Sequence, residues 1–434
     1  MRPEVLDPAP PPASRLLGWA MLWSRLGAFA LIGAGLVACS GSSGVVVPNA
    51  LDECPDGDYS TCDVREAACQ QQLLELTACV YGVSPPADVP VRVLTEQELL
   101  DELEGDTNDG DAAGLPQLER ALVELQLLKE GALTDGGVNA DRVTRISGLY
   151  RDAERGVVLV DRGDALDTAT ANASLVHELV HVLQDAKFGL ADWRAQYPQN
   201  PDIELALRSV TEGQATLVQH RVWAAMTGDD ANSIDWESTF LRLRNRLFAR
   251  ARADESPYFA AAETFPSGFG SPLANLAWAT DGAPYRAAQF DRPPLTTLEI
   301  LAQNAQQDPP RFDPPPFQTP EVSDDYSATQ DVVLGAFLLS LSAHRLGDDS
   351  PDPLPLLLAW RGDQLSTYAG PNDESSWLWQ VQVADAATAE TLQRLADAGG
   401  LRAEAEQDRL FVVGGDEPPA FLLDAGRAFL DADQ

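Results

Sequence analysis

Two of the chain's four histidines, His177 and His181, stand four residues apart in ASLVHELVHVLQD (residues 173–185), with Glu178 next to the first. On a helix, residues i and i+4 project from one face about 6 Å apart. The two imidazoles can therefore hold one divalent cation from the same side. Glu178, one step round, can reach a water on that ion. Leu175, Val176, Leu179, Val180, Val182 and Leu183 cover nearly all the remaining helix surface, the pattern of a buried segment. Buried imidazoles and a buried carboxylate are costly without a partner, and a metal supplies one. Two satisfied core histidines are the plainer alternative.

A hydrolytic zinc site takes three protein ligands and keeps one position open. One arrangement places a third histidine six residues after the second, with a glycine between. Lys187 and Gln184 occupy those positions here, which excludes it. The other arrangement draws a glutamate from a later helix. LALRSVTEGQATLVQHRVW (residues 205–223) offers Glu212, followed by Gly213, Gln214 and Ala215, small residues that let two helix backbones approach. Glu212 is the expected third ligand. Glu204 and Asp202 are alternatives, nearer the helix start, where an acid often only complements the dipole.

The expected mechanism follows from these parts. Zn2+ brings the pKa of a bound water toward neutrality. Glu178 is the catalytic general base, taking the water's proton and passing it to the leaving amine. Lewis acidity then stabilises the tetrahedral oxyanion. Tyr285, Tyr258, His220 and Arg208 are open candidates for a second oxyanion donor, although His220, roughly 80° round the helix from Glu212, reads rather as a partly exposed bystander. Asp185 either anchors a ligand imidazole from behind or is a surface acid at the helix end. The strand Val157–Val160 is the expected edge for an extended peptide to join by strand addition.

Around this stretch the pattern predicts an α+β chain. VRVLT reads as a strand, EQELLDELEG and LPQLERALVELQLLKEG as helices, and ISGLYRDAERGVVLVD as a hairpin turning at RDAERG. Residues 203–226 and 240–252 read as further helices. Residues 254–325, rich in Pro, Gly and aromatics, read as an irregular wrapping, and 327–345 as an apolar helix. The tail alternates strand (WLWQVQV), helix, strand (RLFVVGG) and helix. DTNDGDAAG (residues 106–114) misses the D-x-N-x-D-G spacing of a calcium loop and reads as a solvated turn.

Acidic residues outnumber basic ones 67 to 30, for a net charge of −37, and Lys129 and Lys187 are the only lysines. That argues against nucleic acid, since no basic surface can neutralise phosphates, and against a polybasic membrane patch. LGAFALIGAGLVACS is too short for a comfortable membrane span, and small residues before Cys39 fit a cleavage site. The segment resembles a bacterial lipobox, which implies a signal peptide over 1–38 and a lipidated Cys39 as the only membrane attachment. Ser40 in that context suggests the outer membrane of the cell envelope. Met21 would make a better start than the Pro-rich first residues.

Cys54, Cys62, Cys69 and Cys79 lie close together in an exported chain and read as two disulfides. On one unbroken helix from 62 to 79, Cys62, Cys69 and Cys79 would stand about 10 Å or more apart along the axis, so no two of them could bond. Two bridges require a break, placed near Cys62, with Cys54 folding back; the pairing stays open. A zinc site of four thiolates is the competitor, without the CxxC pairs such sites use.

HELVHVLQDAKFGL followed by VTEGQA resembles the gluzincin branch of metallopeptidases. More narrowly, the chain is similar to a group of prokaryotic His-Glu-x-x-His proteins that share His-Glu-Leu-x-His-x-Leu-Gln-Asp, a Glu-Gly-x-Ala helix, a Pro-Pro-x-x-Thr segment (here RPPLTTLEIL) and a stretch like AWRGDQLSTY. The resemblance covers residues 88–395 by scattered motifs and implies His177, His181 and Glu212 as metal ligands with Glu178 as base. The interval from His181 to Glu212 exceeds that of thermolysin-like and aminopeptidase gluzincins.

The expected architecture is a zincin-like core (87–252), a small mixed sheet with the active-site helix and the glutamate helix. It is preceded by a tether and disulfide-stapled helical module (39–86) and followed by a helical or irregular region (253–370) and a small α/β subdomain (371–434). The expected function is zinc-dependent hydrolysis of a peptide or protein substrate by a lipid-anchored envelope enzyme. The competing expectation is a zinc-stabilised envelope interaction or assembly protein without catalysis.

Overall fold

The computed structural model describes residues 54, 59–105, 115–133, 137–229, 234–281, 285–304, 317, 320, 322–347, 353–371, 374–415 and 418–432. The expected signal segment, Cys39 with its tether, and the acidic loop 106–114 lie outside the described residues. The first half of the chain runs α1 (Ala67–Tyr81), β1 (Val91–Thr95), α2 (Glu96–Gly105), α3 (Leu115–Glu124), α4 (Gly137–Arg145), β2 (Gly148–Arg151), β3 (Gly156–Asp161), α5 (Ala169–Phe188), α6 (Leu190–Arg194) and α7 (Pro201–Thr227). The second half runs α8 (Trp236–Ala253), α9 (Pro257–Asp281), α10 (Tyr285–Asp291), α11 (Thr297–Asn304), β4 (Ser327–Val332), α12 (Gly335–Leu346), α13 (Pro353–Ala359), β5 (Trp360–Ala369), β6 (Ser375–Val383), α14 (Ala386–Ala398), β7 (Arg402–Glu406), β8 (Arg409–Gly415) and α15 (Ala420–Leu430). The chain is thus mixed α+β with two small sheets. No helix among the described residues is long and apolar enough to cross a membrane.

GVVLVD forms the middle strand of the smaller sheet, ordered β1-β3-β2, with β1 parallel and β2 antiparallel to β3. Val157 and Leu159 pack toward α5 and α1, while Val158 and Val160 pack with Leu99 of α2 and Val143 of α4. Burial on both faces explains the unbroken run of β-branched residues. It also corrects one expectation: Val157–Val160 cannot be the edge for a peptide, because β3 is paired on both sides. The edges are β1 and β2, and β2 is the one that lines the cleft of the site helix.

The disulfides join Cys54 to Cys79 and Cys62 to Cys69. Helix α1 begins at Ala67, so Cys62 precedes it and the chain folds back as the spacing required. The stapled segment is not a module apart. Cys69, Leu73 and Leu76 share one core with Leu175, Val176 and Leu179 of α5. Asn172 of α5 accepts the Cys62 N–H at 3.0 Å and donates to the Cys62 carbonyl at 2.7 Å.

Three expectations for the second half need correction. Residues 254–325 are not simply irregular: α9 is a 25-residue helix that keeps Pro266 and Pro272 inside it, held by buried Phe265 and Phe269 against Phe337 of α12. Residues 327–332 form strand β4, so the helix expected at 327 starts only at Gly335. The boundary at 370/371 falls inside a hairpin, since β5 and β6 pair antiparallel from Trp360–Val383 to Ala369–Ser375. The sheet they build, β4-β5-β6-β8-β7, draws its first strand from the preceding region. Helices α12 and α14 cover one face with Leu365, Trp377 and Trp379 beneath, and α15 covers the other over Tyr368 and Phe411.

The two quoted stretches RPPLTTLEIL and AWRGDQLSTY meet at the start of α7. Asp202, 1 % exposed, accepts the Thr297 N–H at 2.9 Å and the Thr297 hydroxyl. Asp363, also buried, accepts from the Leu334 and Gly335 amides and from the indoles of Trp360 and Trp379, each at 2.9 Å. Burial pushes Asp202 up to about 8, against the pull of the Thr297 bonds, and the charge of Asp363 adds to the rise.

A carboxyl group with a raised folded-state pKa stabilises the fold fully below its unfolded value near 4 and loses that contribution as pH rises through about 8. Wild-type thermal stability is therefore expected to fall between about pH 4 and pH 8 more steeply than that of Asp202→Asn. The difference approaches at most about 1.4 kcal/mol per pH unit, the value for one proton. Parallel slopes in calorimetry would show that Asp202 stays ionised.

Candidate metal centre

The site helix α5 starts where the Thr168 side chain accepts the Ala171 N–H at 3.1 Å and stops at Gly189, whose φ is 64°. Helix α7 starts at Asn200, which caps Ile203 at 3.0 Å, with Pro201 in the first turn, the placement a missing N–H tolerates best. The two helices pack against each other and bring His177, His181 and Glu212 together, with one ligand atom from each lying within 4.8 Å of the others. The Glu212 carboxylate stands 3.0 Å from His177 Nε2 and 3.5 Å from His181 Nε2.

What lies behind the rings fixes their tautomers. His177 Nδ1 meets Gln219 Oε1 at 3.1 Å, and His181 Nδ1 meets Gln184 Oε1 at 2.9 Å. Gln184 is oriented by its own donor, which goes to the Thr211 carbonyl at 3.1 Å and to Gln214 Oε1 at 3.2 Å. Gln214 Oε1 also takes the Tyr81 hydroxyl at 2.6 Å. Both Nδ1 atoms therefore carry hydrogen, and both Nε2 atoms turn a lone pair toward the carboxylate. Acceptors facing acceptors repel unless a positive species sits between them. In the metal-free chain that species is a proton. Burial alone would lower His181, but Glu212 outweighs it and holds the imidazole at about 9. Burial likewise opposes ionisation of Glu212, yet the two imidazoles hold it well below the usual carboxylate range. Two neutral imidazoles and one carboxylate with converging lone pairs fit a divalent zinc-type ion in donor type and number.

Glu178 is buried, and loss of solvation is the main reason its pKa is raised; the two histidines pull it back in part. Its carboxylate accepts the backbone N–H of Tyr150 on β2. Gly148 on the same strand lies so close that an added Cβ would stand 2.8 Å from Glu178 Cγ. Ser147 accepts from Val160 across the ladder, so by antiparallel alternation Gly148 and Tyr150 turn their main-chain groups to the open edge.

The remaining expected residues divide. Arg208, Tyr258 and Glu204 line the cleft, of about 600 Å³, that holds the cluster. Arg208 lies 3.6 Å from Glu212. Asp202 sits instead in the buried knot with Thr297, away from the metal ligands. His220 is not among the residues lining the cleft; its Nδ1 lies 2.8 Å from the Thr216 carbonyl. The side chain of Tyr285 lies outside what the structure describes. Asp185 supports neither imidazole: it accepts from the Tyr150 hydroxyl and the Leu190 N–H, both at 2.8 Å.

Gln184 and Gln219 are the residues the sequence reading missed as imidazole supports. Gln184 one turn after His181 was the available signal, since it could reach back along the helix. A residue that orients a ligand typically governs metal affinity by about 10- to 100-fold. Gln184→Leu is expected to weaken zinc binding by about that factor, read by competition with a chromophoric chelator, while Gln184→Glu, which still accepts from Nδ1, keeps most of it. Unchanged affinity in Gln184→Leu would remove this support role.

Beside the third ligand, α7 and α9 cross main chain to main chain. A Cβ on Gly213 would stand 2.3 Å from the Gly270 carbonyl carbon, and one on Gly270 would stand 2.1 Å from the Ser209 oxygen. No protein-family model matches the chain, and searches of curated proteins and of solved structures likewise return no match.

Proposed function

We propose that the chain is a zinc-dependent peptidase of gluzincin type, with a zincin-like core, held at the bacterial envelope through a lipidated Cys39. The observation that carries the reading is the convergence of two Nε2 lone pairs and the Glu212 carboxylate beside a buried Glu178 in one open cleft. Envelope placement rests on the sequence segment ending at Cys39.

His177, His181 and Glu212 would hold the zinc, which when bound supplies Lewis acidity and an acidified water. Glu178 takes a proton from the attacking water at its carboxylate and returns it to the leaving nitrogen. A raised pKa suits both halves of that transfer. The Tyr150 N–H and the close approach of Gly148 keep the carboxylate from swinging away. The open edge of β2 offers main-chain groups for an extended peptide, and Tyr258, which lines the cleft, can donate to the developing oxyanion.

The test is hydrolysis of a peptide mixture by purified protein carrying about one zinc per chain. Chelation is expected to abolish cleavage and zinc to restore it. A fully zinc-loaded, folded protein that cleaves nothing would favour the non-catalytic envelope role.

A further inference from the structure

The chain carries a net charge of −37, yet Arg142, Arg145, Arg194 and Arg208 all line the cleft of the metal centre. Two of them are committed elsewhere: Arg145 lies 2.7 Å from Asp254, and Arg194 pairs with Asp152. Among the described residues the Arg208 guanidinium forms an ion pair with Glu212, at 3.6 Å. The Arg142 guanidinium has no hydrogen-bond or ion-pair partner among the described residues. Its side chain is exposed to solvent within the concave cleft.

We propose that Arg142 and Arg208 bind a carboxylate of the substrate, making this a peptidase for peptides that carry a carboxylate close to the scissile bond. The inference rests on the peptidase reading and names its substrate class.

Apart from Glu212, which stands 3.6 Å from Arg208, no described acid of the cleft forms an ion pair with either arginine. Glu178 and Glu212 belong to the metal centre, Asp152 to Arg194, and Glu204 is exposed at the rim. Glu263 lies within the field of both arginines but forms no ion pair with either; burial raises its pKa, and the two guanidiniums only offset that in part. Arg142 in turn is disfavoured as a cation first by burial and next by Arg208. Like charges sharing one concave cleft repel, and an anion between them removes the cost. A guanidinium presents a planar fork that matches a carboxylate bidentately. Arg208 stands four residues before Glu212 on α7, so the anion would lie about 6 Å along the helix from the third ligand, within reach of a residue flanking the scissile bond.

Two sources share this chemistry: the C-terminal carboxylate of a peptide and an Asp or Glu side chain. Three peptide sets separate them: blocked at both ends with one internal acid at varied positions; neutral with a free C-terminus; and neutral with both ends blocked. Wild-type kcat/KM is expected to favour one carboxylate set over the blocked neutral set by about 10- to 100-fold, the range for hydrogen bonds to charged groups. In Arg142→Gln and Arg208→Gln that preference should collapse through KM, with zinc content unchanged. A merely structural role would lower all sets together. Binding of the same peptides to zinc-loaded Glu178→Gln, read by fluorescence polarisation, tests the proposal without turnover. Carboxylate-dependent binding with no wild-type cleavage would defeat the peptidase reading and keep the anion site. No carboxylate preference, or one that survives both arginine changes, overturns the proposal.

Discussion

Glu178→Gln should lower kcat by about 10²- to 10⁴-fold, the usual contribution of a positioned general base, while the protein still binds zinc and melts normally. The substitution is nearly isosteric, and the side chain is confined by Gly148, where an added Cβ would stand 2.8 Å from Cγ. The amide oxygen can still accept the Tyr150 N–H. Only the capacity to take and return a proton is removed. The measurement pairs steady-state peptide hydrolysis with metal analysis on one preparation. Retained zinc with unimpaired hydrolysis would dismiss Glu178 as the base; lost zinc would place it among the ligands.

Glu212→Ala should have the second large effect, a loss of zinc affinity exceeding the roughly 100-fold upper range for an orienting residue, with hydrolysis lost in proportion. The change also strips His177 and His181 of the carboxylate at 3.0 and 3.5 Å. In the metal-free protein His181, held at about 9 chiefly because Glu212 outweighs burial, should then titrate lower. A raised histidine pKa stabilises the fold fully below its unfolded value near 6.5 and loses that contribution as pH rises through about 9. The metal-free wild type should therefore lose stability across that window and Glu212→Ala should not. Stoichiometric zinc in the variant, measured by competitive titration, would move the third ligand elsewhere.

The chemistry-bearing positions were legible because they are local. The i, i+4 spacing of His177 and His181 needs only a helix, and Glu212 was picked out by the small residues after it. Most of what supports them was not, because Gln219 reaches His177, and Gln214 and Tyr81 reach the Gln184 network, only when α1, α5 and α7 pack. The break before α1 followed from helix rise, whereas the pairing Cys54–Cys79 and Cys62–Cys69 needed the folded path. Helix α9 was hidden by its own Pro266 and Pro272, which local rules read as breakers although tertiary packing overrides them. Strand β5 was hidden differently: buried on both faces, with Asp363 inside, it lacks the alternation that marks a strand with one wet face. The expected edge at Val157–Val160 failed because an apolar run signals the middle of a sheet better than its border.

The crossing of α7 and α9 at Gly213 and Gly270 has an evolutionary reading. Because backbone meets backbone there, with Glu212 immediately alongside, the carboxylate's reach toward the imidazoles is set by a contact no side chain can retune. Drift elsewhere in the scaffold can reshape the cleft walls and so alter preference, while any mutation at either glycine must push apart the two rods that frame the ion. Directed evolution of this scaffold should accordingly tolerate change along α4 and reject it at those two positions.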